Sequence, residues 1–192
     1  MIPLLEATDG VQCSVHPPSS FIRTHRQRLL PSWQSEPQSV VIILQRCAVS
    51  LAHCTAQTDH QKDVLRDRFF HIGNDIRHHI HGIHHEVELF DPKSGYPVIS
   101  SPGSLHLDDV AVACHMLHYA VSTQGTCTYL LHPQWRDAVY PSTLISDAPI
   151  EKVREVLSAL VLPSEYAEAP PIRRNLQFCY SREAIAPALK TV

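Results

Sequence analysis

The residues best suited to chemistry in this chain are a thiol and a group of imidazoles. Cys127 follows Gly125 and Thr126 in an extended, apolar run, and His132 and Trp135 come shortly after. A deprotonated thiol is a nucleophile and a soft donor to transition metals, so its use depends on what lowers its pKa. The competing reading is a small core side chain packed with Tyr129 and Leu131 on one strand face. His78, His79, His81, His84 and His85 crowd the end of a helical pattern. His78, His81 and His85 share a face if the helix continues that far, a spacing that suits a divalent metal. Solvated histidines are the simpler explanation. Asp108 and Asp109, beside His106, read as an exposed acidic turn, and Arg173-Arg174 as a solvated pair. The chain has neither a Gly-rich phosphate loop nor a Gly-x-Ser-x-Gly elbow.

The elements that must position these groups are partly legible. Val11 to Val15 reads as a strand, and Ser19 or Ser20 can cap a helix from Phe21 to Leu30. Ser39 to Gln45 is β-branched and apolar throughout, as a strand buried on both faces is. A further strand is expected over Val49 to Thr55. Leu65, Phe69, Ile72, Ile76, Ile80 and Ile83 recur every three or four residues, which predicts a helix from Asp59 to Ile83. Thr58 and Gln61 have capping-box spacing, and Gly82 marks the end. Glu86 to Phe90 alternates like a half-buried strand. Asp91-Pro92-Lys93-Ser94-Gly95 is turn chemistry, with Tyr96 to Ile99 extended after it. Val110 to Val121 fits helix or strand equally. Thr126 to His132 and Asp137 to Ile145 look extended. Pro149 opens a last helix striped by Val153, Val156, Leu157 and Leu160.

The 192 residues suffice for one domain with a real core, and 44% hydrophobic with 18% charged is an ordinary globular balance. A net charge of −3 does not suit a nucleic-acid partner, and no apolar run approaches the ~20 residues of a membrane helix. The first ten residues contain Glu6 and Asp9 but no Lys or Arg, a poor signal or transit peptide, so the expectation is a cytoplasmic location or a chain given without its natural leader. Cys13, Cys47, Cys54, Cys114, Cys127 and Cys179 contain no Cys-x-x-Cys pair, and reduced thiols are expected.

Three landmarks in fixed order, Asp91-Pro92-Lys93-Ser94-Gly95, then Gly125-Thr126-Cys127 with His132 and Trp135, then Asp147-Ala148-Pro149, resemble the C-terminal domain of the methylmalonic aciduria and homocystinuria type D family of vitamin B12 trafficking proteins. The resemblance covers roughly residues 11 to 162. It implies an α+β fold, a nitroreductase-like α/β sandwich whose mixed sheet is largely antiparallel and which has lost flavin binding. It divides the chain into a flexible N-terminus (1–10), the trafficking domain (11–162) and a C-terminal extension (163–192). It implies a non-enzymatic adaptor that forms a heterodimer with the protein that strips the upper ligand from cobalamin. The cofactor is transient cargo on its way to methionine synthase or to methylmalonyl-CoA mutase, and family members also act in mitochondria.

In the family pattern Gly-Cys-Cys, the first cysteine is the one associated with cobalt. Here that position is Thr126, whose hydroxyl is a hard, weak donor. Cys127 takes the role only if the strand bulges or the corrin approaches differently, because neighbours in a strand point to opposite faces. Gly125, Thr126, Cys127, His132 and Trp135 are therefore the expected cofactor-binding set, with Cys127 the cobalt ligand. A flavin- or corrin-dependent reductase and a partner-binding paralogue without cofactor remain as alternatives.

Overall fold

The computed structural model describes residues 5–7, 10–125 and 127–160. Its centre is a five-stranded sheet in the order β1-β2-β3-β7-β4, built from β1 (Leu5–Ala7), β2 (Val11–His16), β3 (Ser39–Arg46), β4 (Val87–Leu89) and β7 (Val139–Ser146). Every pairing is antiparallel, so the expected mixed sheet is corrected to an antiparallel one. β1 lies within the stretch expected to be a loose N-terminus and pairs with β2 from Leu5↔Cys13 to Ala7↔Val11.

Helices cover both faces. Val41 and Ile43 of β3, Val11, Cys13 and Val15 of β2 and Leu144 of β7 pack against α3 (Ala56–Gly82) and α5 (Ile150–Ala159). Val40, Ile42 and Leu44 face the other way, toward Ile22 of α1 (Ser20–Thr24), Leu29 of α2 (Arg26–Leu29) and Ala113 of α4 (Asp109–Leu117). The unbroken apolar run of β3 is what a strand buried on both faces requires, and Val40 through Leu44 are fully buried.

α3 buries the expected stripe of Leu65, Phe69, Ile72, Ile76 and Ile80, while Ile83 lies beyond its end and is exposed. Its capping box sits one turn earlier than Thr58 and Gln61: the Thr55 hydroxyl accepts from the Thr58 N–H and the Thr58 hydroxyl from the Thr55 N–H. The helix therefore starts at Ala56, and Val49 to Thr55 is a loop rather than a strand. That loop is tied to the segment before β7. The Cys47 N–H donates to the Ala138 carbonyl, the Leu51 N–H to the Asp137 carbonyl, and the Ser50 hydroxyl to the Asp137 carboxylate at 2.7 Å.

Two acidic residues are more deeply buried than their sequence context implies. Glu88 alternates with apolar neighbours yet is fully buried in β4. Its carboxylate accepts the N–H groups of Leu89, Val98, Ile99 and Ser100, which fixes the loop after the turn. Asp109, expected in an exposed turn, is buried in the first turn of α4, while its neighbour Asp108 caps that helix on the Ala111 N–H. Burial drives the Asp109 carboxyl well above the usual range; the nearby Thr143 hydroxyl opposes this and the charges of Asp108 and Asp91 add to it. The turn itself forms as expected: Gly95 takes a positive φ of 70°, and a Cβ there would lie 2.3 Å from the Leu107 carbonyl oxygen. Arg66 clamps Asp91 through two nitrogens.

Among the described residues no helix is long and apolar enough to cross a membrane. The expected C-terminal extension, 163–192, with Cys179 and Arg173-Arg174, lies outside the described residues.

Candidate functional site: a hairpin with a thiol at its tip

The ambiguous stretch from Val110 resolves into α4, which ends with His118 in the left-handed region, followed by a strand. That strand, β5 (Ala120–Gln124), pairs with β6 (Cys127–Leu131) from Ala120↔Leu131 to Gln124↔Cys127. The pairing leaves two positions between the strands. Gly125 occupies the first with φ +61° and no atoms within 4 Å of an added Cβ, so its backbone angle rather than crowding selects glycine. Thr126 lies outside the described residues.

β6 runs from Cys127 to Leu131 among the described residues.

The hairpin is exposed on β5, where Val121 is 42% accessible, and anchored through β6, whose Leu130 is fully buried against the sheet. Cys127 itself is buried. Its sulfur is bonded to that of Cys54, one residue before the N-cap of α3. This corrects the expectation of uniformly reduced thiols. Local sequence could not reveal the bond, because the two cysteines are 73 positions apart and meet only through the fold. Cys13 and Cys47 are buried free thiols; burial raises the Cys13 pKa to about 12 and raises that of Cys47 as well. Cys114 is free and half-buried.

His132 and Trp135 are near each other but not near the thiol. They belong to the base of the hairpin, where His132 is five residues, roughly 16 Å of extended chain, from Cys127. The tight turn between them is closed by reciprocal backbone bonds between His132 and Arg136. The Trp135 ring stacks on His132 at 4.2 Å, and Tyr119 meets the same imidazole edge-on.

Both nitrogens of His132 are engaged. Nδ1 accepts the N–H groups of Gln134 and Trp135, so Nε2 carries the proton and donates to the Gln12 side-chain oxygen at 2.9 Å. Burial lowers the His132 pKa, which favours this neutral tautomer. Gln12 was not singled out from sequence. It belongs to a polar row on β2, with Ser14 and His16, all buried. Burial first, and then the charges of Arg154 and His118, bring His16 down to about 4.

The histidines of α3 do not assemble. The helix ends at Gly82, so His84 and His85 leave its face; His84 turns into the left-handed region and His85 reaches Asp147 at 3.2 Å. His78, His79 and His81 are exposed. No group of three or more His, Cys, Asp or Glu suited to a metal ion occurs among the described residues.

What the site offers is thus a single sulfur at the tip of an arm, with a rigid neutral imidazole and an indole at its root. A family model described as methylmalonic aciduria and homocystinuria type D protein matches residues 4–157, which reach from β1 into α5. No curated protein matches the chain significantly. With most of its length matched, the chain belongs to the methylmalonic aciduria and homocystinuria type D protein family, which is concerned with cobalamin trafficking.

Proposed function

We propose that the chain is a non-enzymatic carrier of cobalamin. It works as a heterodimer with the cobalamin-processing protein that removes the upper ligand, and it directs the cofactor to methionine synthase or methylmalonyl-CoA mutase. Family membership supports this, and so does one structural observation: a cysteine at the tip of a hairpin whose outer strand faces solvent. In this reading the hairpin is the delivery arm, and cobalamin is its transient cargo. No flavin takes part, in keeping with a nitroreductase-like scaffold that has lost its own cofactor.

Cobalt in a corrin accepts soft axial donors, and a thiolate is one. Thr126, at the family's ligand position, offers only a hydroxyl, so the ligand role moves to Cys127. Gly125 supplies the positive φ that brings the strands together at the tip. His132 and Trp135 serve the same cofactor site indirectly, by stiffening the root of the arm through the Gln12 bond and the stacked rings.

The test is a titration of the reduced full chain with cob(II)alamin, alone and with the processing protein. Thiolate coordination shifts the corrin absorption, and Cys127→Ser abolishes the shift. An unchanged spectrum for both proteins removes Cys127 from the account and leaves partner docking as the role.

A further inference from the structure

The thiol that the proposed carrier needs is tied up. Cys127 and Cys54 share a disulfide, and the two halves of that bond differ in access. Cys127 is 5% exposed, whereas Cys54 is exposed on the loop that leads into α3. The loop is held by its bonds to Asp137 and Ala138 and by the Thr55–Thr58 capping box, so Cys54 is a fixed post. At Gly125 an added Cβ would meet nothing within 4 Å.

We propose that the Cys54–Cys127 bond is a redox latch that keeps the hairpin tip docked and its thiol masked until a dithiol reductant opens it. Attack on a disulfide takes place at the more accessible sulfur. An incoming thiolate bonds to Cys54 Sγ, the S–S bond breaks, and Cys127 leaves with the electron pair as a thiolate. The second thiol of the reductant then attacks the mixed disulfide, bonds to its own first sulfur and expels Cys54. Both protein sulfurs take up protons to the extent that their pKa values dictate. The reductant is oxidised to its disulfide and the protein gains two thiols, so electrons and protons balance.

Cys54 immediately precedes the N-cap of the 27-residue α3. Reduction releases Cys127 as the thiolate, the form that binds soft metals. The latch deepens the carrier reading by adding a redox condition to it, yet it is measurable without any corrin.

The experiment uses the full chain, air-oxidised or reduced with excess dithiothreitol and desalted under anaerobic conditions. Each sample is alkylated with iodoacetamide in the native state and mapped by peptide mass. The expected result is that Cys54 and Cys127 resist labelling when oxidised and are both labelled after reduction. Cys13 and Cys47, buried and held protonated, stay unlabelled throughout. Cys54→Ser should leave Cys127 open to labelling with no reductant, and the reduced wild type reports the same state if that variant fails to fold.

Equal labelling of Cys127 in the oxidised and reduced samples overturns the latch, as does a Cys127 that stays masked after reduction. Adding cob(II)alamin to both samples separates the two claims. A corrin shift only in the reduced sample supports the latch as the gate. Redox-dependent labelling with no corrin shift in either sample supports the latch and overturns cobalt binding. An equal shift in both overturns the gate.

Discussion

The central sheet and the β5–β6 hairpin are both antiparallel, yet they are held by different forces. β3 and β7 are buried almost end to end, with helices on both faces, and their residues need no covalent help. The hairpin buries one strand and leaves the other in solvent, and a two-stranded ribbon is marginal by itself in water. It stays in position through two ties at opposite ends: the Cys54–Cys127 bond at the tip, and the His132–Gln12 bond with the Trp135 stack at the root. The difference teaches that this fold concentrates its stability in the sheet and holds the tip of the thiol-bearing arm by one covalent bond.

That contrast can be broken most forcefully in the core. Phe69 is fully buried between α3 and the sheet, so Phe69→Ala should cost about 3–5 kcal/mol, read from denaturant unfolding at pH 7. A cost below about 1 kcal/mol would mean that this face is not packed as described. Opening the disulfide comes next. Closing a loop of 73 residues stabilises by up to about 4 kcal/mol in the chain-entropy account, and measured values usually run lower. The melting temperature of Cys54→Ser should fall accordingly, while reductant should leave the variant's melting temperature unmoved.

A pH-dependent loss probes the buried polar row on β2. His16 is neutral in the folded chain down to about pH 4 but takes a proton near 6.5 when unfolded. Its stabilising contribution is complete above 6.5 and is lost as pH falls toward about 4, a difference of about 3 kcal/mol at most. His132, also lowered by burial, acts in the same direction. Stability measured from pH 7 to 4 should decline less steeply in His16→Gln than in wild type; parallel curves would refute the assignment. The smallest effect belongs to the exposed strand. Val121→Lys should change stability by no more than about 0.5 kcal/mol, and a larger loss would show that β5 is covered in solution.

The elements with a strong period were legible in the sequence. β3 is an unbroken β-branched run, and α3 carries an apolar stripe that only a helix can bury on one side. The turn at Asp91 was legible because Pro92 and Gly95 dictate its backbone. The failures arose where tertiary contacts overrode local pattern. Val49 to Thr55 has strand-forming residues, but Ser50 and Leu51 bond to Asp137 instead of to a neighbouring strand. Thr55–Thr58 and Thr58–Gln61 both have capping spacing, and the earlier pair won. Glu88 looks solvent-facing until its four N–H donors are seen, and nothing in the sequence marks Gln12, Ser14 and His16 as buried, though all three are and Gln12 accepts from His132 at the hairpin root.

The candidate site was legible in part. Gly125, Cys127, His132 and Trp135 do share one hairpin and its root, but its length divides them into a tip and a base. The pairing of Cys127 with Cys54 had no local signature at all.

The central claim is a bond between the Cys127 sulfur and cobalt. Electron paramagnetic resonance of cob(II)alamin bound to the reduced chain together with the processing protein tests it most directly, because an axial nitrogen splits the cobalt lines and a sulfur does not. The account predicts loss of the nitrogen splitting in wild type, with a different spectrum for Cys127→Ser. Identical spectra for the two proteins would contradict it.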